Sequence, residues 1–234
     1  MPSVRSLWGM AFALSLGAAI SLGMARFSYG MLLPPMREDL AWSYTLAGAM
    51  NTANALGYLL GAMALPRMLR RWDAVQVFMA GAVLTSVFMG LSGFFTQAEP
   101  LLLQRCLAGL SSAWVFVAGG LLAARLGNLH PPSAGWLLGL YYGGTGWGII
   151  LSALSLPPVM AQALEQGVAH PWVWAWWWLC GLCALCCVAM WWPLKRCAVW
   201  QRSGWLHQDT QTTTAAPKDF SWPTLTFALA GYGL

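Results

Sequence analysis

The chain has 234 residues, of which 59% are hydrophobic and only 8% charged, with a formal net charge of +5. A soluble domain carries about 25% charged residues, so a water-covered globular surface is excluded. Sixteen tryptophans suit the interfaces of a bilayer, where that ring concentrates. The basic excess does not form a nucleic-acid patch, because the arginines and lysines fall in short connections between apolar runs, which is a topology signal. The first apolar run is longer than the core of a signal peptide and lacks a small-residue cleavage site before a polar mature domain, so no cleavable leader is read.

A span needs about 20 mostly apolar residues. Six stretches meet that length: 7–33, 44–66, 74–95, 101–124, 135–157 and 172–192. Prolines mark several of their ends: Pro34 and Pro35 close the first, Pro131, Pro132, Pro157 and Pro158 bracket the fifth, and Pro193 stops the sixth. All are expected to be helices, since a span must satisfy its backbone internally, and the alternation of a barrel strand is missing. With the N-terminus placed inside, Arg5, Arg67, Arg70, Arg71, Arg125, Lys195, Arg196, Arg202 and Lys218 fall on the cytoplasmic side and Arg37 on the outer side. That asymmetry predicts a cytoplasmic N-terminus for a multi-pass protein of the cell's inner (plasma) membrane. Residues 1–194 read as one six-helix domain and 195–219 as a cytoplasmic linker. Residues 220–234 turn apolar again, like the truncated start of a seventh span.

The first span carries an arginine, Arg26, after the nineteen uncharged residues 7–25, and an embedded charge points to a functional site. Arg105 is embedded in the fourth span. Arg26 lies near the end of an outward-going helix and Arg105 near the start of an inward-going one, so at 1.5 Å per residue the two share a depth in the outer leaflet. They read either as a pair offering positive charge to a solute or as anchors whose heads reach the headgroups. Asn51, Asn54 and Tyr58 share one face of the second span, where helix packing is the favoured reading over solute contact. Gly57 and Gly61, Gly135, Gly139 and Gly143, and Gly144 and Gly148 are spaced for close helix approach. Tyr141, Tyr142 and Trp147 offer cavity walls or lipid contacts.

Three stretches carry a family resemblance: Gly23-Met-Ala-Arg26-Phe-Ser-Tyr29 with Leu33-Pro34-Pro35-Met36; Ala53-Asn54-Ala-Leu-Gly57-Tyr58-Leu-Leu-Gly61; and Gly139-Leu-Tyr141-Tyr142-Gly143-Gly144-Thr-Gly146. With six spans, a linker and the opening of a seventh, the chain resembles the N-terminal half of the major facilitator superfamily, and within it the YbfB/YjiJ-type branch. The resemblance implies an all-α integral membrane fold of two inverted three-helix repeats, although no internal repeat is evident in the sequence. It implies alternating access around a solute held near mid-membrane. The superfamily's loop motif is partly matched by Gly61, Arg67, Arg70 and Arg71, but Leu65 stands where an acid is expected and Met68 where a second glycine is. That puts the motif's charge relay in doubt. Arg105 and Gly109 match the fourth-span motif, whereas the fifth-span antiporter motif lacks its proline.

The expected activity is transport of a small organic solute, an anionic one being what the arginines would suit. Candidate solute-binding residues are Arg26, Tyr29, Asn54, Arg105, Tyr141 and Tyr142, and candidate conformational residues are Gly61, Arg67, Arg70, Arg71 and Gly109. The expected partners are the solute, the lipid bilayer, and either a missing C-terminal half or a second copy, with no nucleic acid. No cofactor or catalytic residue is read. No carboxylate or histidine lies inside a span to relay protons, and Cys180, Cys183, Cys186 and Cys187 imitate a metal-ligand spacing but read as small packing residues in an apolar helix. A non-transporting truncated product, or a subunit needing a partner half, is the alternative, and a membrane-embedded enzyme is less favoured.

Overall fold

The computed structural model of the protein describes residues 4–202, with side chains to residue 196. Every element in it is helical: α1 (Val4–Asp39), α2 (Tyr44–Met68), α3 (Ala74–Ser92), α4 (Ala98–Leu129), α5 (Ala134–Glu165) and α6 (Pro171–Arg202), with one 3-10 turn at Pro131–Ser133 before α5. Five helices, α1 and α3 to α6, are long and apolar enough to cross a membrane. The 25-residue α2 has the length but is not among them, and it carries Asn51, Asn54, Thr45 and Thr52. The linker beyond residue 202 and the apolar segment 220–234 lie outside the described residues.

Three helices pass prolines that the sequence reads as their ends. α1 continues through Pro34 and Pro35 to Asp39, α5 through Pro157 and Pro158 to Glu165, and α6 through Pro193. A proline inside a helix removes one N–H and crowds the carbonyl four residues back, a local cost of ~3 kcal/mol. In a bilayer, leaving the helix would strand far more backbone groups, and packed neighbours absorb the kink. The stops come instead from backbone caps. At the end of α5, Gly167 takes φ 69°, its N–H bonds Leu164 O and the Val168 N–H bonds Ala163 O, a left-handed cap that glycine enters freely. α1 ends the same way with Ala41 at φ 52°, while Trp42, 7% exposed, bonds back to Arg37 O. Ser43 caps α2 by accepting from Leu46 N at 3.1 Å, and Asp73 and Gln76 form a capping box on α3.

The short connections make successive helices antiparallel, and the bundle is knitted by close backbone approach. A Cβ on Gly57 would strike the Cys106 backbone of α4, one on Gly61 the Leu110 carbonyl, and one on Gly109 the Asn54 carbonyl. On the other side of the bundle, Gly144 and Gly148 of α5 abut the backbone of Ser15 and Ala19 in α1. Gly135, Gly139 and Gly143 differ from these pairs: a Cβ on any of them would meet nothing within 4 Å, so they pack against no element of the described chain. α3 and α6 complete the core through Phe78, Met89, Cys183 and Trp176, all within 1% of full burial.

Candidate functional site

Residues Ala19–Phe27 of α1 are wound as a π-helix, a wider coil that recurs at functional sites. It contains Gly23, which lies against Gly148 of α5, and Arg26. Because the wider coil changes the angular step per residue, it decides which way Arg26 and its successors point, and a 3.6-residue count along the sequence does not capture it.

Arg26 emerges exposed, its guanidinium 5.9 Å from the Tyr58 ring centroid. Tyr58, half-buried on α2, is close enough to both Arg26 and Tyr142 to interact with them electrostatically. Tyr142 of α5 is 45% exposed and lies 5.5 Å, ring to ring, from Phe116 of α4. A Cβ on Gly120 would be 3.1 Å from the Tyr142 hydroxyl, so the absence of a side chain on α4 is what admits that ring. One guanidinium, two phenols and a phenyl ring thus gather where α1, α2, α4 and α5 meet. The arrangement can bind charge through Arg26, hydrogen-bond through the phenols and stack flat groups on the rings.

Arg105 takes the opposite setting. It is 2% exposed, with its guanidinium 4.2 Å from the Tyr29 ring centroid and 5.8 Å from that of Trp176 on α6. Nη1 donates to Ala25 O at 3.3 Å, while Nε and Nη2 have no acceptor among the described residues. Those two N–H groups form one edge of the guanidinium, the fork that takes a carboxylate side-on. The backbone here is tied as well, since Asn54 Nδ2 donates to Arg105 O at 2.9 Å. Arg26 and Arg105 therefore lie on different surfaces: one on the open face, the other inside the bundle against α1 and α6.

The remaining candidates divide in the same way. Tyr29 is 2% exposed and Tyr141 fully buried; their hydroxyls donate to Ala47 O at 3.4 Å and Phe116 O at 2.7 Å, so both bind helices to one another. Asn54 is buried with them. Gly61 packs on α4 and its carbonyl accepts from Trp114 Nε1 at 3.2 Å; Gly109 packs on α2. Arg67, Arg70 and Arg71 are exposed around the α2–α3 turn, where Leu65 is buried. Trp147 is 64% exposed. Phe116 was not singled out from sequence, although it lies eleven residues, three helical turns, beyond Arg105 on one side of α4. Trp176 was hidden in a run of tryptophans. In the sequence Tyr58 reads as a packing residue on the face shared with Asn51 and Asn54.

Among the described residues no three His, Cys, Asp or Glu side chains gather as a metal site. Cys183 is fully buried and its sulfur contacts those of Met24 and Met89 at 3.8 and 4.0 Å, which is core packing between α6, α1 and α3. At the loop end, Asp39 Oδ2 accepts from Trp172 Nε1 at 2.5 Å and lies 2.6 Å from His170 Nδ1, fastening the end of α1 to the start of α6.

No curated protein matches the chain. Residues 18–234 do match the model of a family described as "Uncharacterised MFS-type transporter YbfB". That match takes in all of the open-face cluster, the buried arginine and nearly the whole helical bundle, and the chain belongs to this family of MFS-type membrane transporters.

Proposed function

We propose that the chain moves a small organic solute, preferably an anionic one, by alternating access, and that the solute rests on the open face formed by Arg26, Tyr58, Phe116 and Tyr142. The observation that carries this reading is the cluster itself. It is the place where an exposed cation, two phenols and stacking rings converge from four helices of a transporter-family chain. A lipid anchor would need the arginine head alone; it would not need a ring-lined floor that α4 makes room for at Gly120. Arg105, enclosed away from that face, braces α4 against α1 and keeps a spare carboxylate-binding edge, and Tyr29, Asn54 and Tyr141 hold the helices around it.

The bundle is proposed to be six spans arranged as two inverted three-helix units, α1–α3 and α4–α6. The glycine contacts support this: exchanging the units turns the Gly57/Gly61 contact of α2 on α4 into the Gly144/Gly148 contact of α5 on α1. α2 is then the sixth span, with Asn54 turned into the bundle interior and Thr45, Asn51 and Thr52 on its exposed side. The N-terminus is placed in the cytoplasm on the arginine and lysine asymmetry, and the membrane is the cell's inner membrane. A second half, in the same protein or as a second copy, would close the open face. Gly61, Gly109 and the Arg67, Arg70, Arg71 turn would then govern how the units rock.

The test is a flux screen of small organic acids, amines and neutral solutes in cells lacking or overproducing the protein. Arg26→Gln and Tyr142→Ala follow on whichever solute responds. Both should lower transport at unchanged membrane levels, and Arg105→Lys should do so too, since lysine lacks the planar fork. Unaltered flux in the Arg26 and Tyr142 variants would refute the open-face site.

A further inference from the structure

At the end of the bundle that carries the start of α1 and the far part of α6 there is a cleft of about 300 Å³ between these two helices. The exposed Arg5 and Arg196 stand at its rim, and Ser6, Gly9, Trp192 and Pro193 are among the residues that line it. The opening has sequence causes. A Cβ on Gly9 would meet nothing within 4 Å, so α1 offers bare backbone there. Pro193 lies inside α6, where it removes an N–H from the helix ladder.

The chemistry of the rim is one-signed. Arg5 and Arg196 are exposed, and the Arg196 guanidinium lies 5.9 Å from the Trp192 ring centroid, a contact that steers the charge along the ring. Trp192 itself is 69% exposed, the setting of an indole at headgroup level. By the alternation of the helices, Arg67, Arg70, Arg71, Arg125 and Lys195 belong to this end too. Asp73 is the acid of this end among the described residues, while Glu38, Asp39, Glu99 and Glu165 lie at the other. Beyond the mouth, exposed apolar ridges continue along both helices: Trp8 and Phe12 on α1, Leu185 and Val188 on α6.

We propose that this cleft binds the headgroup of an anionic phospholipid, its phosphodiester between Arg5 and Arg196 and its glycerol against Trp192. Two guanidiniums match phosphate oxygens in geometry as well as charge, and basic pockets between membrane helices are where anionic headgroups bind. The cleft has room for a phosphate and part of a glycerol, and the acyl chains lie on the ridges outside it.

The experiment uses the purified 234-residue chain in mild detergent, with phosphatidylglycerol, phosphatidylcholine or inorganic phosphate added. Lipid retention is read by native mass spectrometry and stability by melting temperature. Phosphatidylglycerol should be retained in preference to phosphatidylcholine. Arg5→Gln with Arg196→Gln should weaken its retention by about thirtyfold, each basic residue near an anionic surface being worth roughly fivefold. Arg125→Gln should leave retention as it is. Equal retention by wild type and the double variant would overturn the proposal, and so would an equal loss in Arg125→Gln. A melting shift from inorganic phosphate as large as that from phosphatidylglycerol would overturn the lipid assignment. A measurement that needs no variant is photo-crosslinking of the wild-type chain with an azido-phosphatidylglycerol. Label should map to peptides containing Arg5 or Arg196, and label confined to other segments would overturn the site.

Discussion

Replacing Gly57 with alanine probes the contact on which the α2–α4 pair rests. The new Cβ would lie 2.7 Å from the Cys106 carbonyl carbon and 3.0 Å from its Cα. Both are backbone atoms of a helix, so no rotamer change can make way. The Cys106 carbonyl oxygen would be nearer still, so restoring ordinary separations near 3.5 Å would push the helices apart by roughly 1.5 Å. That displacement would stretch the Asn54 Nδ2 to Arg105 O hydrogen bond, now 2.9 Å, past useful length. Overpacking costs ~1–3 kcal/mol and the lost bond ~0.6 kcal/mol, against a helix-propensity gain for alanine of ~1 kcal/mol. The net expectation is a destabilisation of ~0.6–2.6 kcal/mol. Gly139→Ala is the internal control: with nothing within 4 Å of its Cβ, it gains the propensity and pays no clash. Thermal unfolding in one detergent should therefore rank wild type between the two variants. Gly57→Ala melting level with Gly139→Ala would show that α2 and α4 are not in backbone contact, and would remove the main support for the paired-unit arrangement.

Two further outcomes follow from the helix ends. Ala41→Gly should stabilise the protein by ~1 kcal/mol, because a residue with a Cβ is strained at φ 52° and glycine is not; a lower melting temperature would contradict the left-handed cap. Asp39→Ala should destabilise by ~1–2 kcal/mol by releasing His170 and Trp172 at the start of α6, a figure already reduced for the partial exposure of the pair. Asp39→Asn should recover part of that loss, and a wild-type melting curve for Asp39→Ala would mean that the fastening contributes nothing.

Reading the helices from sequence goes astray at prolines, at evenly spaced glycines and at helix azimuth, each for its own physical reason. The helices α2 and α4 run over Tyr44–Met68 and Ala98–Leu129, where the sequence reads apolar spans of 44–66 and 101–124. The ends assigned to Pro34, Pro157 and Pro193 were wrong as helix stops, because the rule that proline breaks a helix assumes water on the other side to satisfy the freed groups. Gly57 and Gly61 look no different along the chain from Gly139 and Gly143, yet the first pair meets α4 and the second meets nothing. Spacing by four says that a face is smooth and is silent on whether another helix comes to it. The rise per residue sets Arg26 and Arg105 at similar heights, and Arg105 Nη1 bonds Ala25 O, next in the chain to Arg26. Their azimuths were out of reach, because a π-helical stretch precedes Arg26 and the choice between interior and open face is made by the neighbours.

The sequence by itself determined that this is a membrane bundle of apolar helices with its basic residues gathered at one end, since partition into hydrocarbon is a sum over residues that needs no knowledge of contacts. It also carried the family, through short motifs set by local backbone demands. Only the tertiary structure decided which side chains share a space. It put Arg26 on the open face with Tyr58, Phe116 and Tyr142, enclosed Arg105 between Tyr29 and Trp176, and opened a cleft between Arg5 and Arg196 from opposite ends of the described chain. These juxtapositions depend on helix rotation and on glycine-to-backbone contacts between helices, and neither quantity is written in any one helix.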